Sequence, residues 1–281
     1  MSFDFDAVIA RDGTASVKHD GRVAVFGTPD VTPLWVADMD FAAPPAVTAA
    51  LVARAQHPVY GYTLVTEPVT AALQDWCRQR WDWQVPREHI LLVPGVVPSL
   101  YAVVQALTAP GDGVIVQPPV YFPFFSAVRD SGRQLLENPL RLDAAGYTMD
   151  WDDLDTQAAS ARLLLLCSPH NPVGRVWQAD ELDRLLAIAR RHGLTILADE
   201  IHADLILPGH RHLPLATRSL DGVPVITALA PSKTFNVPGL GLSALIVPDP
   251  TQRRALQDCF ASLHVEACNP FSLVAFEAAY R

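Results

Sequence analysis

Charge is scarce in this chain, and positive charge more so. Only 18% of the 281 residues are charged, and 30 acids against 21 bases leave a formal net charge of -9 and a pI near 5.4. Nucleic-acid and membrane-surface binding draw on basic patches, so this balance argues against both. Cysteine is sparse as well. Cys77, Cys167, Cys259 and Cys268 show no CxxC spacing. They read as reduced thiols in a cytoplasmic protein, mostly packing. The first residues, Met1-Ser2-Phe3-Asp4-Phe5-Asp6, lack the basic and apolar regions of a signal peptide. No internal repeat or low-complexity linker is visible. A metal site lacks its signature too. Asp199, His202, Asp204, His210 and His212 match no zinc spacing, and Pro208-Gly209 interrupts any shared helix. Ser168 and Ser232 lack the G-x-S-x-G elbow of a serine hydrolase.

Apolar residues are plentiful at 50%, ample for one large domain, or one and a fraction. The uncharged run from Ile90 to Pro110 matches a bilayer span in length, but Pro94, Gly95, Pro98, Ser99 and Gln105 interrupt it. It predicts a strand over Ile90–Val93, a Gly turn and a helix over Pro98–Thr108. Strand patterns continue at Val114–Gln117, Arg162–Cys167, Thr195–Ala198, Val223–Leu229 and Leu242–Val247. The four consecutive leucines of Arg162–Cys167 suit a strand buried on both faces. Between them Ala179–His192 has helical spacing and ends at Gly193. Such alternation predicts an α/β domain with a largely parallel sheet. Residues 1–45 are Pro- and Asp-rich with little periodicity and read as an arm; residues 46–281 read as the sheet domain.

The candidate chemistry follows the strands, where α/β sheets place it. Asn171, Asp199 and Lys233 arrive in that order, in Asn171-Pro172-Val173-Gly174, Asp199-Glu200-Ile201-His202 and Pro231-Ser232-Lys233-Thr234-Phe235-Asn236. An amide, a carboxylate and an amine suit a cofactor with a phenolic oxygen, a ring nitrogen and an aldehyde, as in pyridoxal phosphate. Pro94-Gly95-Val96-Val97 opens a helix whose free amides form an anion site. Tyr121 follows another strand and could stack on an aromatic ring. Taken singly, each has an ordinary explanation: a solvated acid pair, a turn, a surface lysine, a core aromatic. The ordered set makes coincidence improbable.

With Pro33-Leu34-Trp35-Val36-Ala37-Asp38-Met39-Asp40-Phe41, Tyr60-Gly61-Tyr62 and Pro119-Val120-Tyr121, these motifs cover nearly the whole chain. The sequence resembles the fold-type-I pyridoxal-phosphate enzymes of aminotransferase class I/II, and within them the carbon–sulfur β-lyase branch of MalY/PatB cystathionine β-lyases. The resemblance implies a mostly parallel, seven-stranded mixed sheet flanked by helices, a small domain built from both termini, and a homodimer with sites at the interface. It implies that Lys233 is the Schiff-base lysine, that Asp199 pairs with the pyridine nitrogen, and that Asn171 bonds the phenolic oxygen. Tyr121 would stack on the ring. The amides of Val96 and Val97 and the hydroxyl of Ser232 would hold the phosphate, and Tyr60 would reach the phosphate in the partner subunit. His202 stands where many aminotransferases carry a tyrosine, a substitution typical of the lyase branch.

Two departures accompany the resemblance. The position eight after the lysine, an arginine phosphate clamp in many relatives, is Gly241, and no Lys or Arg occurs from Thr234 to Gln252. The family also continues past Arg281 into most of the small domain, including the arginine that grips the substrate carboxylate. The implied activity is cleavage of L-cystathionine or related cysteine S-conjugates to a thiol, pyruvate and ammonia. A class I/II aminotransferase and a truncated, non-catalytic fragment remain as alternatives. The segment Asn269–Arg281 reads as an interdomain helix without its partner, exposing apolar surface near Phe271, Leu273, Val274 and Phe276.

Overall fold

The fold is seen in a computed structural model that describes residues 3–144, 146–219, 222–265 and 269–281; Cys268 lies outside them. In chain order the strands are β1 (Ile90–Val93), β2 (Gly113–Val116), β3 (Gln134–Glu137), β4 (Arg141–Asp143), β5 (Gly146–Thr148), β6 (Ala161–Cys167), β7 (Thr195–Asp199), β8 (Val225–Leu229) and β9 (Ser243–Ile246). Strands β4 and β5 form a separate hairpin. The other seven form one sheet in the order β1-β9-β8-β7-β6-β2-β3. Neighbours from β8 to β3 pair in parallel. Strand β9 runs antiparallel to both β8 and β1, so β1 is again aligned with the parallel set. The carboxyl ends of β1, β6, β7 and β8 therefore open on one edge of the sheet, where α/β folds bind ligands.

The apolar runs work because the central strands are covered on both faces. Leu163, Leu165 and Cys167 of β6 face a core shared with α5 (Val96–Leu107), α6 (Pro123–Arg129) and α10 (Pro250–Ser262). Leu164 and Leu166, one residue out of phase, face the opposite core, with Leu154 of α7 (Trp151–Ala158) and Leu182, Leu185 and Ala189 of α8 (Ala179–His192). Helix α8 has the predicted bounds. Its Gln178–Glu181 capping box fixes the start, and Gly193, in the left-handed region, fixes the end.

Several expectations need adjustment. Helix α5 begins at Val96, two residues early, because Pro98 falls in the first turn, where a missing N–H costs nothing. Asp199 is the last residue of β7 rather than a loop residue beyond it. Val223 is buried but precedes β8.

The largest correction concerns the end of the chain. Helix α11 (Pro270–Tyr280) packs against α3 (Pro45–Ala55) and α4 (Glu67–Trp81). Leu273 and Phe276 are 4% and 1% exposed, sharing a core with Val69, Leu73 and Cys77, so they form no open apolar surface. The arm, residues 3–44, holds two short helices, α1 (Val17–Asp20) and α2 (Arg22–Phe26). No helix among the described residues is long and apolar enough to cross a membrane.

Candidate active site

Five chain segments meet at the carboxyl edge of the sheet. The first leaves β1 through Pro94-Gly95 into α5. Gly95 is the N-cap and offers no side chain, so the amides of Val96 and Val97 are left without a capping partner. Pro98 contributes no N–H, which leaves Val96 and Val97 as the free donors of that first turn. Uncapped amides at a helix start attract an anion.

The second and third segments are tied together. Strand β6 ends at Cys167, and its buried thiol accepts the Asn171 amide at 3.3 Å while donating to the Pro169 carbonyl at 3.4 Å. Burial pushes this thiol far up, so it stays protonated. Tyr121 N donates to the Asn171 carbonyl at 3.1 Å, placing the two predicted residues side by side. The Tyr121 ring remains 39% exposed. Between them His170 is buried, Nε2 donating to the Pro119 carbonyl at 3.1 Å and its ring edge-on to Trp177. Nδ1 of His170 is buried with no partner, and burial lowers its pKa to about 4, so the ring is neutral. A cleft of about 350 Å³ opens here, lined among others by Asn171, Arg175, His202 and Leu205.

The fourth and fifth elements supply the charges. Asp199 ends β7 with 5% exposure. Among the described residues its only donor is the Ile201 amide at 3.1 Å. Burial raises its pKa to about 7, against the pull of that hydrogen bond and of the Lys233 charge. Lys233 sits in α9 (Pro231–Thr234), directly after β8. Its charge is felt by His202 as well, whose pKa falls to about 4, chiefly through burial and then through Lys233. Thus Asp199, His202 and Lys233 share one electrostatic neighbourhood. Ser232, next to Lys233, makes no side-chain hydrogen bond among the described residues.

Tyr60 stands apart from this group. It is 57% exposed, its hydroxyl donates to the Ala55 carbonyl at 2.9 Å, and its ring lies against Phe271. The metal alternative does not assemble. Glu200 and His212 are spent on each other at 2.9 Å, and Asp204 accepts from Trp76 and Arg80. Among the described residues no group of three or more His, Cys, Asp or Glu could hold an ion.

Sequence reasoning missed the supports. Asp204 also accepts from Thr234 at 3.4 Å, beside the lysine. Asn236 bonds the arm at Met39 and Phe41. Asn236 was visible within the lysine motif, but its partners lie some 200 positions away and leave no local pattern.

The edge thus combines an amine, a buried carboxylate with only one donor, free helix-start amides and a free hydroxyl. That donor set fits a flat aromatic ligand bearing a cationic ring nitrogen, an aldehyde and a phosphate. The family profile "Aminotransferase class I and II" matches residues 29–278, and this chain belongs to that family. It is 44% identical over 280 residues to cystathionine beta-lyase PatB of Bacillus subtilis, covering 99% of this chain and 72% of that protein. It is 30% identical over 256 residues to protein MalY of Escherichia coli, covering 90% of this chain and 65% of that one. Among solved structures, cystalysin from Treponema denticola, which contains pyridoxal 5'-phosphate, superposes with a TM-score of 0.94 at 36% identity, covering 100% of this chain and 72% of that one. The pyridoxal-phosphate-bound C-S lyase of Staphylococcus hominis gives 0.91 at 29% identity, covering 100% of this chain and 71% of that one.

Proposed function

We propose that this chain carries the cofactor cradle of a pyridoxal-phosphate-dependent carbon–sulfur β-lyase, which converts L-cystathionine or related cysteine S-conjugates and water into a thiol, pyruvate and ammonia. The observation that carries the reading is Asp199. A buried carboxylate with a single backbone donor and a pKa near 7, next to a lysine, is unfavourable unless a cationic partner arrives. The similarity to cystathionine beta-lyase PatB, spread over 99% of the chain, supports the substrate class.

When bound, the cofactor supplies an electron sink for charge developed at Cα. The residues do the rest. Lys233 would hold the cofactor through its amine and would serve as the base for the Cα proton. Asp199 keeps the ring nitrogen protonated. Asn171 donates its side-chain amide to the phenolic oxygen, with its backbone pinned by Cys167 and Tyr121. His202, neutral at pH 7, would act near the same oxygen as a hydrogen-bonding group rather than a cation. Tyr121 would cover one ring face. The Val96 and Val97 amides and the Ser232 hydroxyl hold the phosphate without an arginine at Gly241. Removal of the Cα proton by Lys233 would set up loss of the thiolate from Cβ.

Residues 1–45 serve as the arm and 46–281 as the cofactor domain. The assembly is a cytoplasmic homodimer that binds neither nucleic acid nor membrane. Val59, Tyr60, Tyr62 and Leu64, all more than half exposed, suit burial against a second copy, from which Tyr60 would reach the other phosphate.

A second reading, amino transfer, is favoured by 31% identity over 172 residues to kynurenine–oxoglutarate transaminase 3 of Mus musculus. Incubating the chain with L-cystathionine and no keto acid separates the two. Pyruvate release that scales with bound cofactor supports the lyase. Turnover that appears only when a keto acid is added would replace it with the transaminase.

A further inference from the structure

The lysine sits on a weak element. Helix α9 spans four residues, one turn, which is unstable alone. Two backbone hydrogen bonds close it, Phe235 N to the Pro231 carbonyl at 2.9 Å and Val237 N to the Ser232 carbonyl at 3.0 Å. On one side Thr234 leans on Asp204. On the other side stands Asn236, in the left-handed region at φ 55°. Only a few non-glycine residues adopt that conformation, asparagine prominent among them.

The Asn236 side chain reaches across to the arm. Its Oδ1 accepts the Met39 amide at 2.9 Å, and its Nδ2 donates to the Met39 carbonyl at 3.0 Å and the Phe41 carbonyl at 2.7 Å. The amide thus uses its acceptor once and both donors. Apart from the Pro44 carbonyl, which accepts Val47 N and Thr48 N where α3 begins, these are among the described residues the only hydrogen bonds between residues 3–44 and the rest of the chain, and every arm ion pair is internal. The arm meets Asn236 as a pre-stiffened unit. Arg11 binds Asp38, Asp40 and the Met39 carbonyl, while Lys18, 4% exposed, binds Asp40 and the Asp38 carbonyl.

We propose that Asn236 is a positioning residue: its amide clasps residues 39–41 of the arm and thereby holds the turn that presents Lys233. The clasp is a feature of the fold, and its consequence for Lys233 rests on the function proposed above. A lysine on a loosened turn samples more orientations, which lowers the fraction aligned with the bond it must attack.

The test uses the 281-residue chain carrying Asn236→Gly or Asn236→Asp. Glycine keeps the left-handed backbone and removes the amide. Aspartate keeps the acceptor and loses both donors. Two readouts are taken: hydrogen exchange across residues 36–41, and the pH midpoint of the visible band after loading with pyridoxal phosphate. Asn236→Gly is expected to exchange the Met39 amide about tenfold faster or more, and both variants to shift the midpoint of the band. Unchanged Met39 protection in Asn236→Gly would overturn the clasp. Faster exchange with an unmoved midpoint would overturn the positioning role and leave the contact structural. A wild-type chain that develops no visible band would refute the proposed function, and the positioning role with it, while Met39 exchange still reads the clasp.

Discussion

Two carboxylates one residue apart, on opposite faces of the sheet, have opposite fates. Asp199 lies on the face shared with α5, in phase with Leu197, and Glu200 on the face shared with α8, in phase with Ala198 and Ile196. Glu200, fully buried, is fully provided for: His212 Nε2 at 2.9 Å on one oxygen and the Leu215 amide at 2.8 Å on the other. Asp199 has only the Ile201 amide and a pKa near 7. Burial alone does not mark a functional acid. The mark is burial without partners, at the strand end where the amine also lies. Glu200 ties down the loop leading to Leu215, and Asp199 is left available to the ligand proposed above.

The sharpest way to break this comparison is to neutralise each acid in turn. Asp199→Asn is expected to lower pyruvate release per bound cofactor by on the order of 10²-fold or more, since one preorganised charge at the reacting centre is lost. Chemical denaturation should find that variant at least as stable as the parent at pH 7, since it is spared the cost of ionising a buried carboxyl. Glu200→Gln should behave in reverse. It leaves His212 without its anionic partner and costs about 1–3 kcal/mol of stability, with turnover per bound cofactor within a few-fold of the parent. If Glu200→Gln lost the greater activity, the assignment of the two acids would be the wrong way round.

Stability against pH offers a smaller but cleaner contrast. Asp199 binds its proton more tightly folded than unfolded, because burial raises its pKa from near 4 to about 7. Between those values the folded state carries the extra proton. Its contribution to stability is therefore lost as pH rises through that window, by at most about 1.4 kcal/mol per pH unit. Urea midpoints of the cofactor-free chain from pH 4 to 7 should show that component, and Asp199→Asn should lack it. An identical slope in the variant would assign it to other groups.

Tyr60→Phe should have the least effect. The hydrogen bond to the Ala55 carbonyl is exposed and worth about 1 kcal/mol or less, so the melting temperature should barely move. Cofactor retention after desalting should fall if the hydroxyl serves a second copy. Mixing Tyr60→Phe with Lys233→Ala subunits should then restore one competent site per mixed dimer. No restoration would place Tyr60 outside the site.

What could be read beforehand follows physical lines. The central strands were legible because burial on both faces writes an unbroken apolar run, as in Leu163 to Leu166. Edge strand β3, with Gln134 and Glu137 exposed, carries no such run, and the three-residue strands of the β4–β5 hairpin are too short to show a period. Lys233, Asp199 and Asn171 could be singled out because each lies at, or within four residues of, a strand end. The supports of Lys233 could not, since Asp204 and Asn236 act through contacts with Trp76, Met39 and Phe41, far away along the chain. Helix α11 misled because it is apolar nearly all round. Its cover came from α3 and α4, more than 180 residues earlier.

The central claim is that Lys233, paired with Asp199 across the sheet edge, holds the cofactor. The chain has two lysines, Lys233 and Lys18, and Lys18 is buried in an ion pair with Asp40. Loading with pyridoxal phosphate, desalting, borohydride reduction and peptide mapping therefore put the question directly. The account predicts a visible band that survives desalting and a reduced pyridoxyl label on the peptide containing Lys233. A label on Lys18, or none on either lysine, would contradict it.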